Sequence, residues 1–138
     1  MESKISPRVD ISKQIHKIVI KIKNNLLDNV FEDLKKIDVV NRNNHSKIEN
    51  IYCMLFQKMK SISDLISIKH KAENIGTIRG EAFLSTFIKC ICNLCRNEDE
   101  FNFCRKSCYK TLDEIKEKGY MLKQRMYSPI IDLFYRFN

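Results

Sequence analysis

One segment of this chain is apolar on nearly every side, and that restricts the folds open to the remaining residues. Between Asn74 and Cys95 the sequence reads NIGTIRGEAFLSTFIKCICNLC. A helix over Glu81 to Cys95 would be about 22 Å long at roughly 1.5 Å per residue. It carries Ser85, Thr86 and Lys89, so it is too short and too polar to span a bilayer. Because a helix that is hydrophobic all round must be surrounded by other elements, the segment predicts a central helix inside a bundle.

Composition also favours an all-α fold. The chain has 138 residues, enough for one domain, and only 3 Gly and 2 Pro, too few for the many turns of a sheet protein. We expect a flexible tail over residues 1–9 and one helical domain over residues 10–138. The start MESKISPRVD lacks the apolar core of a signal peptide, and no run reaches the roughly 18 apolar residues of a membrane span. We therefore expect a cytoplasmic protein whose 6 cysteines are reduced thiols.

Apolar residues at three- and four-residue spacing predict seven or eight helices. The first helix starts at Asp10, the second carries Leu27 to Ile37, and a polar loop follows from Asn41 to Ser46. Two short helices then precede the central one, and the second of these restarts at Ser61.

The helix after the central one has the clearest start signal in the chain. Asn97 fits as its N-cap, and the acidic residues Glu98 to Glu100 fill a first turn that suits the helix dipole. Gly119 fits as its C-terminal stop. We expect a further short helix around Met126 and a last helical turn that begins at Ser128.

The basic excess favours acidic partners without specifying a site. The 25 Lys and Arg against 17 Asp and Glu give a net charge of +8, which draws a protein toward nucleic acid or anionic membranes. Basic side chains are spread along the chain, however, and no zinc-finger, helix-turn-helix or RNP signature is present. A basic helical nucleic-acid-binding protein is therefore an alternative and not the favoured interpretation.

No residue pattern points to catalysis or to a bound cofactor. Cys92 and Cys95 form a CxxC and Cys104 and Cys108 a CxxxC, spacings that can hold zinc. All four lie in apolar helical segments, so small buried hydrophobes are the favoured interpretation. The 3 histidines are far apart, and none accompanies a nucleophile motif such as GxSxG. We predict no enzyme activity, no cofactor, no metal and no small-molecule substrate.

The order of the segments resembles the Bcl-two family of apoptosis regulators, particularly its divergent viral members. That family enters its hydrophobic central helix through Asn-Trp-Gly-Arg-Ile, and Asn74, Gly76 and Ile78 match this pattern. Its second homology segment typically reads Trp-x-x-Phe-Val-Glu-Leu-Tyr, and residues 127–134, YSPIIDLF, are similar in character and spacing. The abundance of Ile, Lys and Asn would suit an AT-rich viral genome.

This resemblance implies a Bcl-type bundle with a surface groove that binds an amphipathic helix from a pro-apoptotic partner. Thr77 stands where the family has an arginine that pairs with an aspartate of the ligand, and Arg79 lies two residues further on. The residues implied for the groove are Phe31, Leu34, Leu65, Ile68, Asn74, Gly76, Arg79, Gly80, Phe83, Leu84 and Phe134.

Two hypotheses follow from the resemblance. The first is an anti-apoptotic protein that sequesters pro-apoptotic helices, inhibits host cell death and, lacking a membrane tail after the second segment, reaches mitochondria only through its partners. The second keeps the fold and blocks innate immune signalling of the NF-κB type by binding adaptor or kinase proteins. Thr77 favours the second hypothesis, whereas Gly76 and Gly80 favour the groove. The sequence leaves open whether the protein forms a homodimer.

Overall fold

The computed structural model describes residues 7–40, 45–75 and 80–137. These ranges contain helices and no strands, which confirms the all-α prediction. Within them, no helix combines the length and the apolar composition that crossing a membrane requires. The helices are α1 (Pro7–Lys23), α2 (Val30–Val40), α3 (His45–Lys58), α4 (Ile62–Ile75), α5 (Glu81–Leu94), α6 (Glu98–Glu117) and α7 (Gln124–Phe137).

Helix α5 lies at the centre of the bundle, as the apolar segment predicts. Helices α3, α4, α6 and α7 all pack against it, while α1 packs on α2 and α3. Burial of apolar surface on several sides of one helix stabilises the whole bundle. The buried side chains of α5 are Phe83, Leu84, Phe87, Ile88, Cys90, Ile91 and Cys92.

Aromatic rings join α3 to α5. Tyr52 meets Phe83 edge to face at 5.9 Å between ring centroids, and Phe56 lies 5.0 Å from Phe83 and 6.0 Å from Phe87. All four side chains are almost completely buried. Such rings bury large apolar areas and prefer tilted or edge-to-face contacts, so they fix how α3 sits on α5.

Local signals in the sequence correctly locate several helix ends. The Ser61 hydroxyl accepts a hydrogen bond from the Asp64 N–H at 3.1 Å, and the Asn97 side chain accepts one from the Glu100 N–H at 3.0 Å. Gly119 has a φ of +85° and ends α6 with the Tyr120 N–H donating to the Ile115 carbonyl at 3.1 Å. This is the glycine-terminated ending that the sequence predicts.

Other helix boundaries differ from the prediction. Helix α1 begins at Pro7, before Asp10, and α3 begins at His45, inside the predicted loop. The predicted break before Ser128 is wrong, since α7 runs through Pro129. A proline normally interrupts a helix, but Met126 and Ile130 on either side are both buried, so packing of this face holds α7 together.

The N-cap of α6 gives a test of the fold. Replacing Asn97 with Ala removes the acceptor for the Glu100 N–H, and we expect the free energy of unfolding to fall by about 1 kcal/mol. Asn93→Ala is the matched control, because Asn93 is exposed on α5 and should change stability by less than about 0.5 kcal/mol. Urea denaturation measures both values, and equal effects would show that Asn97 does not act as a cap.

Candidate functional site

Four of the residues implied for a ligand groove lie in the core. Leu34, Leu65, Phe83 and Leu84 are fully buried. Helices α2 and α4 pack against each other, and Phe83 packs on the Tyr52 and Phe56 rings of α3. A ligand helix could therefore contact these four side chains only after α2 and α4 had separated and the ring contacts of Phe83 had been broken.

The remaining groove residues are partly accessible or lie elsewhere. Phe31 is half-buried, with its ring 6.5 Å from that of Tyr52, and Ile68 is also half-buried. Asn74 is exposed near the end of α4. Phe134 packs edge to face on Phe101 of α6 at 5.4 Å, which places it on the α6 side of α7. Gly76, Thr77 and Arg79 lie outside the described residues.

Gly80 has an intramolecular role at the start of α5. It is the N-cap residue of that helix and not a mid-helix position, and it contributes no side-chain hydrogen bond. Glu49 of α3 supplies the missing acceptor, because its carboxylate accepts a hydrogen bond from the Phe83 N–H at 2.9 Å. A Cβ atom on Gly80 would overlap this carboxylate. A negative charge at a helix N-terminus is favourable, so Gly80 leaves room for the group that caps the central helix.

This contact predicts coupling between positions 80 and 49. Gly80→Ala should displace the flexible end of the Glu49 side chain and weaken its hydrogen bond to the Phe83 N–H, which should lower the free energy of unfolding by about 1 kcal/mol. In a Glu49→Ala background, Gly80→Ala should lower the free energy of unfolding much less, because the carboxylate that a Cβ atom would meet is absent. A double-mutant cycle measured by urea denaturation tests this, and additive effects would contradict the assigned contact.

Charged side chains tie α7 to both ends of α5. At the N-terminal end, Glu81 pairs with Lys123 at 3.0 Å and with Arg125. The hydrogen bond from Lys123 lowers the pKa of Glu81 below its usual value. At the other end, the Arg136 guanidinium donates to the Cys95 carbonyl at 3.1 Å and so satisfies a free carbonyl at the helix terminus. The two helices therefore run side by side in the same direction.

The cysteines belong mainly to the core. Five of the six are buried and only Cys53 is half-buried, so the interpretation as buried hydrophobes is confirmed for those five. The Cys92 and Cys108 sulfurs are 3.5 Å apart and share a hydrogen bond between α5 and α6. In the part of the chain that the structure describes, no group of three or more His, Cys, Asp and Glu side chains is placed to hold a metal ion.

Burial should make most of these thiols unreactive. Burial raises the pKa of Cys90 to about 11 and that of Cys104 to about 12, so both are thiols at neutral pH. The hydrogen bond to Cys92 raises the pKa of Cys108 and lowers that of Cys92, but neither sulfur is accessible. The thiolate is the reactive form.

We therefore expect an aromatic disulfide reagent at pH 8 to modify Cys53 first and the other five cysteines only slowly. Cys53→Ser should remove the first phase, and denaturation in guanidinium should make every remaining thiol react at once. Stopped-flow absorbance measures the phases. Fast modification of four or more thiols in the native protein would contradict the burial.

A groove runs along the surface between α4 and α6, with a volume of about 380 Å³. We call it the α4–α6 groove. Lys69, which lines it, belongs to an ion-pair network that the sequence pattern did not predict. The Lys69 Nζ atom lies 2.6 Å from a carboxylate oxygen of Glu73 and 3.2 Å from one of Glu114. The same atom is 5.0 Å from the centre of the Phe87 ring. The groove is lined by Ile66, Lys69, His70, Phe87, Phe103, Lys106 and Lys110, with Ser107 and Thr111 beside them.

Comparison with known proteins does not assign this chain to a family. No protein-family model, curated protein or solved structure matches this chain.

Proposed function

We propose that this protein is a Bcl-like regulator of host-cell signalling that acts by binding other proteins and not by catalysis. The observation that carries the proposal is the packing of α7 along the enclosed helix α5. Helix α7 contains the whole of the second segment that resembles the Bcl-two family, residues 127–134, and α5 is the hydrophobic helix that follows the first resembling segment in the sequence. Contacts at both ends hold these two helices together. A viral inhibitor with this architecture would need no cofactor, since its activity is the occupation of a partner's surface.

Burial of the groove residues favours an outer face as the binding surface. Leu34, Leu65 and Leu84 are fully buried, so binding a ligand helix there would require breaking core contacts. An outer face needs no such rearrangement. The proposed role is therefore inhibition of innate immune signalling of the NF-κB type, through contact with an adaptor or kinase protein. The threonine at position 77 supports the same choice, because the family's ligand-pairing arginine is missing there.

Sequestration of pro-apoptotic helices is the second candidate function. Phe31 and Ile68 are only half-buried, on the two helices between which a ligand helix would enter. Asn74 is exposed near the end of α4, where it could hydrogen-bond the ligand's polar side. This candidate requires α2 and α4 to separate, and the free energy of that separation would weaken the apparent affinity.

Peptide titration separates the two candidates. We expect peptides that carry the ligand helices of pro-apoptotic proteins to show no binding at tens of micromolar in fluorescence polarisation. The buried groove floor is the physical reason. A dissociation constant below about 1 μM, weakened by Asn74→Ala, would instead support the second candidate.

The cellular role needs its own measurement. In cells that express the protein, an NF-κB-driven reporter should respond less to an inflammatory stimulus, while death triggered through mitochondria should proceed. Asn74→Ala should leave the reporter effect unchanged, because this residue belongs to the ligand groove of the second candidate. If neither the reporter nor cell death responds to the protein, the proposed function is wrong.

A further inference from the structure

We propose that the α4–α6 groove binds an acidic amphipathic helix of a partner protein. The claim that this binding blocks signalling rests on the proposed function. Whether the groove binds such a helix is tested separately, on the purified protein. This groove lies on a different face of α4 from the predicted ligand groove, since Leu65 faces the core whereas Ile66 and His70, about 100° and 140° further around the helix, line the α4–α6 groove.

The floor of the groove is apolar. Phe103 is 50% exposed although it is one of the largest side chains on α6. Ile66 of α4 is half-buried opposite it, and the buried ring of Phe87 lies between the two helices. A half-exposed aromatic ring beside a cavity is a typical anchor for a partner's apolar side chain.

The rim of the groove is basic. Every ionisable side chain that lines it is a lysine or a histidine, namely Lys69, His70, Lys106 and Lys110. Lys69 is already paired with the two nearest carboxylates. Lys106 and Lys110 are exposed and make no ion pair with any residue in the described ranges. Two unpaired lysines one helical turn apart are complementary to carboxylates on a ligand helix.

The shape favours a helix as the ligand. Helices α4 and α6 both pack on α5, and the groove between them is lined by about two turns of α6, from Phe103 to Thr111, so a third helix can lie along it with apolar residues at i, i+3 or i+4 and i+7. A second copy of this chain is a poorer fit. Its exposed apolar stripe on α7, formed by Ile131 and Tyr135, is flanked by Asp132 and Arg136 and so offers the basic rim no excess of negative charge, and the chain as a whole carries +8.

The test uses a synthetic helical peptide with leucine at i, i+3, i+4 and i+7 and glutamate at the flanking positions. Added to the ¹⁵N-labelled full chain, it should shift the amide signals of residues along the groove, including Ile66, His70 and Phe103. A peptide with lysine in place of glutamate should cause no such shifts. Binding of the acidic peptide should weaken as salt is raised.

Variants then assign the binding to named side chains. Phe103→Ala should lower the affinity for the acidic peptide about tenfold, as expected when an anchoring side chain is truncated. The double variant K106E/K110E should lower the affinity for this peptide at least about tenfold, because it removes the charge complementarity. K13E/K35E is the matched control, with the same change in net charge at exposed lysines on α1 and α2, and it should bind like the wild type. Dispersed amide spectra verify that each variant is folded.

Several results would overturn the inference. These are the absence of shifts at millimolar peptide, an equal loss of affinity in K13E/K35E, and shifts centred on Phe31 and Ile68. Binding of single-stranded RNA that depends on Lys106 and Lys110, with no binding of the acidic peptide, would identify a nucleic-acid surface instead.

The reporter assay separates this inference from the proposed function. If the wild type suppresses the reporter and K106E/K110E does so equally, the proposed function stands and this surface is not its basis. If only the reporter fails to respond while the peptide binds as expected, the proposed function alone is wrong.

Discussion

The enclosure of α5 is the constraint on which the rest of this structure depends. Its apolar side chains point to several sides and leave only one polar stripe, with Lys89 and Asn93 exposed, so the bundle is stable only if neighbouring helices cover the apolar sides. Helices α3, α4, α6 and α7 provide that cover, and the rings of Phe56 and Phe83 form its tightest aromatic contact. Because the inner faces of α4, α6 and α7 pack on α5, their outer faces remain available to bind other molecules. The enclosure thus links the core to the proposed function.

Polar contacts at the ends of α5 complete this arrangement. An enclosed helix still has free N–H groups at its start and free carbonyls at its end, and each must find a partner. Glu49 reaches the Phe83 N–H from α3, and Arg136 reaches the Cys95 carbonyl from α7. Together with the Glu81 pairs at the other end of α5, the Arg136 contact fixes the direction of α7, and together with the aromatic rings the Glu49 contact places α3. Satisfying the backbone of one helix therefore contributes to how two others pack.

Much of the fold could be predicted from the sequence, because its signals are local. The Asn97 cap, the glycine stop at Gly119 and the all-apolar segment each depend on a few adjacent residues, and each gave a correct helix end or a correct buried helix. Contacts between distant residues gave no such signal. The acceptor that requires Gly80 lies on α3, and the ion pairs of Lys69 join α4 to α6.

The α4–α6 groove was missed for the same reason, since its basic rim and its apolar floor come from three helices. The ligand-groove prediction stays untested as a function, although the structure shows that much of its floor is core.

Native-state hydrogen exchange of the α5 amides tests the enclosure most directly. If α5 is the enclosed centre of the bundle, the amides of Phe87, Ile88 and Ile91 should exchange only through global unfolding. Their free energy of exchange should then equal the free energy of unfolding from urea denaturation. Exchange of these amides through local openings, at free energies well below the global value and similar to those of α1, would contradict the account.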